Sequence, residues 1–192
     1  MDINKAIRKQ EKSHKRFLLF LGFIFFAMPL VLFLANKFSI FFMLYLAIIE
    51  ILILSAIIAS LSSNYLKYSC DGYKLKIKVR RFKEEFNIIC DKVIFVHTEG
   101  SGPQLSIVMI LSSRFRNKKI NEIDMAFLNK HIYVSHYYYK IKKHQPEDSF
   151  FYIVINKGGY HKYKLLDMIY RSCVKAQYSS EAVENIKQYR NL

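Results

Sequence analysis

The chain has 192 residues, 52% of them hydrophobic, and its 30 basic side chains outnumber 15 acidic ones to give a formal net charge of +15. Its three cysteines, Cys70, Cys90 and Cys173, lie far apart and form no CxxC pair, so the expectation is buried thiols in a reducing cytoplasm rather than a disulfide framework. The sequence contains no GxGxxG, P-loop, HExxH or GxSxG motif, and nothing in it argues for an enzyme or a cofactor.

One apolar region dominates the first third of the chain. Residues 17–35 and 40–61 supply 19 and 22 positions, separated by a short polar segment that includes Lys37. A bilayer core of about 30 Å needs about 20 helical residues, so a single helix over the whole region would be too long. We therefore predict a transmembrane helical hairpin over residues 17–63, with spans at 17–35 and 40–61.

Charge predicts how the hairpin is oriented. Residues 1–16 carry six basic and two acidic side chains, whereas the connecting segment carries only Lys37. Basic segments tend to stay in the cytoplasm, so we expect a basic cytoplasmic tail at 1–16 and a multi-pass inner-membrane protein with both termini cytoplasmic. A secretory signal peptide fits poorly, because the apolar segment is too long, lacks a small-residue cleavage site and is followed by a second span.

Glu50 is an acidic residue near the middle of the second predicted span. A carboxylate at that depth is costly unless it is protonated or paired, and the first span offers no basic or amide partner. The favoured interpretation of Glu50 is a protonated side chain without a function. Among functional roles, a contact across a homo-oligomer or with another protein is favoured over a proton or ion pathway.

Residues 64–192 are predicted to form one cytoplasmic domain with its own core. Its 23 basic and 12 acidic residues give it a net charge of +11. An anionic leaflet attracts nearby Lys and Arg by about 1 kcal/mol each, which makes the membrane surface the expected partner. Nucleic acid ranks lower, because no helix-turn-helix, zinc-finger or RNA-binding signature is present.

From Tyr65 onward the pattern changes to the period of two that is typical of strands. Asp71-Gly72 separates two alternating segments and predicts a β-hairpin, whose second strand has an apolar face at Tyr73, Leu75, Ile77 and Val79. A solvated sheet face and a lipid-facing one are equally favoured for its opposite, cationic face. The candidate lipid or surface contacts on this stripe and on the basic turn that follows a later strand are Lys74, Lys76, Lys78, Arg80, Arg81, Arg114, Arg116, Lys118 and Lys119.

The rest of the domain is predicted as further strands followed by helices. Strands are expected at 85–89, 92–97, 104–112, 131–141 and 150–155, with an ambiguous short helix at 120–128, which makes about seven strands in all. In the 131–141 strand, Tyr133, Tyr137 and Tyr139 would share one packing face. Apolar residues at three-to-four spacing predict an amphipathic helix over 165–174, and a second helix is expected to begin near Ser179-Ser180.

Histidines and acidic residues give weak metal signals. His131 and His136 would lie on opposite faces of a strand. His97 and Glu99 share a strand face, but a pair without a third ligand is more typical of surface polarity than of a zinc site. No metal site and no catalytic residue is predicted.

The order of these segments resembles that of small bacterial two-span membrane proteins that carry a pleckstrin-homology-like domain. The resemblance rests on residues 68–96, where a hairpin strand pair and a connector precede a strand opened by Asp91-Lys92-Val93, and on the helix from Leu165 to Val174. It implies an α+β membrane protein whose β-rich domain, about seven antiparallel strands, is closed by a C-terminal amphipathic helix. It implies a binding or scaffolding role without catalytic residues.

The function predicted is that of a non-enzymatic integral membrane protein whose basic domain binds partners or anionic lipid at the inner leaflet. A small oligomeric channel, holin-like or transport-accessory protein that assembles through the hairpin and Glu50 is one alternative. A membrane-tethered nucleic-acid binder is another, and steeply salt-dependent binding of DNA or RNA would distinguish it.

Overall fold

The computed structural model describes residues 2–35, 39–79 and 84–191. The chain begins with two long helices, α1 (Ile3–Leu34) and α2 (Ile40–Asn64), both long and apolar enough to cross a membrane. They pack side by side with His14 Nδ1 3.2 Å from Ser60 Oγ. Almost no residue of their most apolar stretches is buried, which is unlike the core helix of a soluble protein.

Residues 3–16 of the basic segment lie within α1, which begins before the predicted span. Asp2 caps the helix, because its side chain accepts hydrogen bonds from two backbone N–H groups of the first turn. Ile3 and Ile7 lie one turn apart, are each 2% exposed, and pack with Leu105 and Tyr163 of the following domain. The helix thus continues past the predicted span and completes one of the apolar clusters of the domain.

The domain contains a three-stranded antiparallel sheet in the order β1-β2-β3. Its strands are β1 (Leu66–Asp71), β2 (Lys74–Val79) and β3 (Glu84–Ile89). The predicted hairpin is confirmed with its turn displaced by one residue: Asp71 pairs with Lys74, so that Gly72 and Tyr73 make the turn. Gly72 has φ of 67°, a conformation that glycine adopts at little cost.

A second sheet has five strands in the order β6-β7-β5-β4-β8. These are β4 (Val93–Glu99), β5 (Ser106–Leu111), β6 (Asn121–Glu122), β7 (Phe151–Ile155) and β8 (Gln177–Tyr178). All pairs in this sheet are antiparallel except β4 with β8. The described residues therefore hold eight strands, of which the two-residue strands β6 and β8 were not predicted.

The main core lies between the two sheets and a helix, α5 (His161–Ser172). Leu75, Ile77 and Val79 of β2 are buried in it, as the alternation predicted, whereas Tyr73 at the turn is 68% exposed. The α5 residues Leu165, Leu166 and Ile169 are fully buried against the same cluster. The closing amphipathic helix is confirmed, but it begins and ends earlier than predicted.

The prediction of a strand over residues 131–141 is wrong. This segment forms α4 (Ile132–His144), which follows a short helix, α3 (Met125–Lys130). Both helices pack against the outer face of the second sheet, where Tyr137 stacks on Phe95 with ring centroids 3.8 Å apart. The segment is rich in residues that favour strands, but helical geometry places its apolar side chains at three-to-four spacing over that sheet face.

The aromatic residues of α4 follow the helix and do not form the predicted strand face. Tyr133 and Tyr137 lie one turn apart on the side toward the sheet, and Tyr139 is 52% exposed. The last helix, α6 (Ser180–Arg190), is capped by Ser179 as predicted, with its Oγ accepting from the Ala182 N–H at 3.1 Å.

Candidate functional site

Three of the predicted basic residues line one surface groove. Lys74 comes from β2, and Arg114 and Arg116 come from the loop after β5. The groove has a volume of about 510 Å³, and its remaining lining residues are Asn87, Ile89, Ser113 and Phe115. Among the described residues, its lining therefore combines three cations, two neutral polar side chains and two apolar ones, and no acidic residue.

The loop that carries Arg114 and Arg116 is held against the first sheet. Asn117 donates from Nδ2 to the carbonyl oxygen of Glu85 at 2.8 Å, while Phe115 packs on the main core. Phe115 and Arg116 have φ of 50° and 55°, a left-handed turn that costs about 1 kcal/mol or more for each non-glycine residue. This turn keeps both arginine side chains on the exposed side of the loop.

Other members of the cationic stripe are neutralised by carboxylates. Lys76 Nζ lies 3.3 Å from Asp71 Oδ2, and Lys78 Nζ lies 2.9 Å from Glu85 Oε2 across the β2–β3 pair. The hydrogen bond to Glu85 raises the pKa of Lys78. These two lysines fit the solvated sheet face that the sequence left as an alternative.

The remaining predicted residues do not line the groove. Lys118 and Lys119 lie exposed on the same loop, and the backbone carbonyl of Lys118 accepts from Arg114 Nη2 at 3.4 Å. Arg80 and Arg81 lie outside the described residues. The sequence pointed to the cations of the groove but not to Asn87, Ile89 and Phe115, because only the docked loop brings them together.

Glu50 lies half-buried on the side of α2 that faces α1, one turn before the buried Ile53. The register that joins His14 to Ser60 sets it opposite about residue 24, where the α1 side chains are apolar. Among the residues that the structure describes, no hydrogen-bond or ion-pair partner of Glu50 is found.

His97 and His131, which no sequence pattern connected, are both buried and form one cluster with Glu99. His131 Nδ1 lies 2.7 Å from Glu99 Oε1, and His97 Nε2 lies 3.9 Å from the same oxygen. On its other side His97 Nδ1 is 2.9 Å from Ser179 Oγ, near Glu181. Burial lowers the pKa of His97 although both glutamates oppose the shift. Of the pair predicted as surface polarity, His97 is thus buried and Glu99 is partly exposed.

The histidine cluster joins three elements of the domain. It ties β4 to α4 and to the start of α6, and in the described part of the chain no group of three His, Cys, Asp or Glu side chains is arranged to hold a metal ion.

The junction between hairpin and domain is built on two adjacent glycines. The Gly158 N–H donates to the Ser63 carbonyl at the end of α2 at 3.3 Å. The Tyr160 N–H donates to Gln10 Oε1 of α1 at 2.8 Å. Close by, the buried Lys162 donates to two backbone carbonyls, and burial lowers its pKa to about 8.

The groove, rather than the junction or the histidine cluster, is the candidate binding site, because Arg114 and Arg116 are exposed, Lys74 is partly exposed, and no carboxylate among the described residues lines it. In comparisons with known proteins, no family model, no curated protein and no solved structure matches this chain.

Proposed function

We propose that this chain is a non-enzymatic integral membrane protein whose basic domain binds anionic phospholipid, or an anionic partner, at the inner leaflet. The observation that carries the proposal is the groove, which collects Lys74, Arg114 and Arg116 with no carboxylate in its lining. The two exposed apolar helices would attach this groove to the membrane.

The proposed orientation has both termini in the cytoplasm. Ile3 and Ile7 pack against the domain, so the N-terminal basic segment and residues 64–192 lie on the same side of the hairpin. Nearly all of the net charge of +15 would then lie on one side of the bilayer. The tendency of basic segments to remain in the cytoplasm favours that side.

The proposed relation to pleckstrin-homology-like domains has support in the arrangement of the sheets. A three-stranded antiparallel sheet packs across the main core from a mostly antiparallel sheet, and α5 lies against the same core. The α3–α4 pair and α6 are additions to that plan. A binding module of this kind needs no catalytic group.

The groove suits a phosphate group. Arginine offers a planar fork of donors that matches phosphate oxygens, and Arg114 and Arg116 stand on one short loop beside Lys74. At about 1 kcal/mol for each cation near an anionic surface, the three would together favour anionic over neutral lipid by about 3 kcal/mol. That preference corresponds to a factor of about 100 in affinity.

The test uses the full-length chain in nanodiscs of neutral phosphatidylcholine, with or without anionic phosphatidylglycerol. Amide hydrogen exchange is measured over β3 and residues 113–119. We expect slower exchange in the anionic discs, and loss of the difference at high salt and in the Arg114→Glu, Arg116→Glu double variant. Lys140→Glu, an equally exposed charge reversal on α4, is the control and keeps the protection. Equal exchange in both kinds of disc would contradict lipid binding.

A second candidate, assembly through the hairpin as in a channel, holin-like or transport-accessory protein, is favoured by Glu50. A half-buried carboxyl group in an apolar span gains most from a polar partner on another chain. Glu50→Gln removes the charge at constant shape. Loss of oligomers by native mass spectrometry, or loss of ion flux in vesicles, would support this candidate. An unchanged variant would argue against assembly through Glu50, and lipid binding would remain as the proposed function.

A further inference from the structure

The three cysteines, which are separate in the sequence, converge in the structure. Cys173 Sγ lies 2.7 Å from Cys90 Sγ, and both residues are buried, at 1% and 3% exposure. Cys70 on β1 packs against the same core cluster and interacts electrostatically with both thiols. Unlike the other two, Cys70 is only partly buried.

The cluster joins parts of the fold that are distant in sequence. Cys90 follows the last residue of β3 and begins the turn between the two sheets, and Cys173 directly follows α5. The Cys90 N–H donates to the Tyr73 carbonyl at 2.8 Å, which holds Cys90 against the hairpin turn next to Cys70. A bond between Cys90 and Cys173 would therefore tie α5 to the junction of both sheets.

We propose that this cluster is a redox-responsive modification site, in which a low-molecular-weight disulfide oxidises Cys90 and Cys173 to an intramolecular disulfide by way of Cys70. The distance between the two buried sulfurs is close to the bonded length of about 2.05 Å, so closing the bond needs only a small movement. Cys70 is the point of entry because its sulfur is the one that an oxidant can reach.

The reaction proceeds by three thiol–disulfide exchanges. The Cys70 thiolate attacks the external disulfide, forms a mixed disulfide and releases one thiol. Cys90 then attacks the Cys70 sulfur and releases the second external thiol. Cys173 finally attacks Cys90, which forms the Cys90–Cys173 bond and returns Cys70 as a thiol. In sum two protein thiols are oxidised, and one external disulfide is reduced to two thiols.

The surroundings fit a site that stays reduced until it is challenged. Burial raises the pKa of Cys173 and of Cys90, and the contact with Cys173 partly opposes the shift at Cys90. Cys90 is the buried thiol that interacts with Cys70 through both a side-chain hydrogen bond and charge, in keeping with its earlier place in the sequence of exchanges. High thiol pKa values make the exchange slow, so the cluster would respond to sustained oxidation.

The test oxidises the full-length chain in detergent with glutathione disulfide, followed by alkylation, intact mass measurement and peptide mapping under non-reducing conditions. We expect the loss of two hydrogen masses, a linked peptide pair containing Cys90 and Cys173, and a melting temperature higher by about 10 °C, because the bond closes a long loop. If all three cysteines remain alkylatable, or if only disulfides between chains form, the proposal is overturned.

Variants separate the entry step from the final pair. Cys70→Ser, at a partly exposed position, is expected to slow oxidation at least tenfold, and an unchanged rate would overturn the role of Cys70. Cys173→Ser is expected to stop the reaction at a Cys70–Cys90 disulfide. If a buried hydroxyl prevents folding, Cys173→Ala serves the same purpose. A Cys70–Cys90 disulfide in either variant would support Cys173 as the final partner of Cys90. A variant in which neither Cys70 nor Cys90 becomes oxidised would overturn the proposed order of exchanges.

Discussion

Replacement of Gly159 by alanine tests whether α1 is docked on the domain as the structure has it. Gly159 has φ of 53°, and a Cβ there would lie 2.4 Å from the side-chain amide of Gln10. The Gln10 side chain would have to move and give up its hydrogen bond to the Tyr160 N–H. That bond contributes about 1 kcal/mol, and the left-handed backbone costs an alanine about 1 kcal/mol more.

Only the lost hydrogen bond depends on docking, because the strained backbone lies in the domain loop whether α1 is docked or not. The expected loss of docking stability is therefore about 1 kcal/mol, which corresponds to about a fivefold rise in the undocked population. Trypsin reads out this population, because cleavage after Lys5, Lys9 or Lys12 requires the helix to leave the domain and open locally. We expect cleavage in this segment to be about fivefold faster in Gly159→Ala.

Gly22→Ala is the matched control, since Gly22 also lies on α1 but a Cβ there would meet nothing within 4 Å. Its cleavage rate is expected to stay at the wild-type value. Equal rates for Gly159→Ala and the wild type, or equal acceleration in both variants, would refute the docking geometry.

Two further predictions concern buried charged groups. Burial lowers the pKa of His97, so the folded protein binds a proton at this site less readily than the unfolded chain does. The folded state is therefore most stable above the unfolded pKa of about 6.5, and its stability falls as the pH drops below that value. We expect His97→Gln to show a smaller drop in melting temperature than the wild type between pH 7.5 and 5.5. Asp167 pairs with Arg190 and Arg171 at 2.6 and 2.7 Å. The free energy of unfolding of the Asp167→Ala variant should therefore be about 2–4 kcal/mol lower than that of the wild type. The exposed pair of Asp91 with Lys175 is the control, with a change below about 1 kcal/mol.

The parts of the fold that the sequence predicted are those in which local pattern and burial agree. In β2, every second residue is apolar, and Leu75, Ile77 and Val79 are buried; a one-residue slip would expose them all, so the pattern determines the faces. The two long helices were predictable for a similar reason, because an apolar segment of about 20 residues favours a helix long enough to cross a membrane.

The α4 segment could not be predicted in the same way, because its residues favour one structure and its neighbours another. Tyr133, Val134 and Tyr137 are typical strand residues. The outer face of the second sheet, however, presents Phe95 and Val108, and these need a cover. The apolar sheet face that α4 covers is formed by residues distant in sequence, so residues 131–141 alone do not predict the helix.

The sequence predicted the basic residues of the candidate groove but did not predict that they line a groove. Lys74 and Arg114 were both selected as basic positions, but they lie 40 positions apart in the numbering. The contact of Asn117 with the Glu85 carbonyl and the packing of Phe115 on the main core bring the loop to the sheet. The sequence also predicted more unpaired cations than the structure has. It did not show that the pairing of β2 with β3 places the Glu85 carboxylate beside Lys78.

The docked end of α1 did have a signal in the sequence. Ile3 and Ile7 are apolar residues one turn apart in a segment that is mostly polar, and Gln10 and His14 continue the same side of the helix. Such a stripe is weak evidence for helix packing when it is short. Its meaning depends on Leu105 and Tyr163, which lie far along the chain.

The docking of α1 has a consequence for how the groove meets a ligand. The domain is joined to α2 by the chain itself at Tyr65 and to α1 by the contacts of Ile3, Ile7 and Gln10. Two separated attachments prevent the domain from swinging freely about one linker. In the proposed bilayer placement, the hairpin would thus set the height and tilt of the groove above the membrane. The lipid-binding proposal then predicts that a substitution that undocks α1 weakens lipid protection of residues 113–119 without changing any cation of the groove.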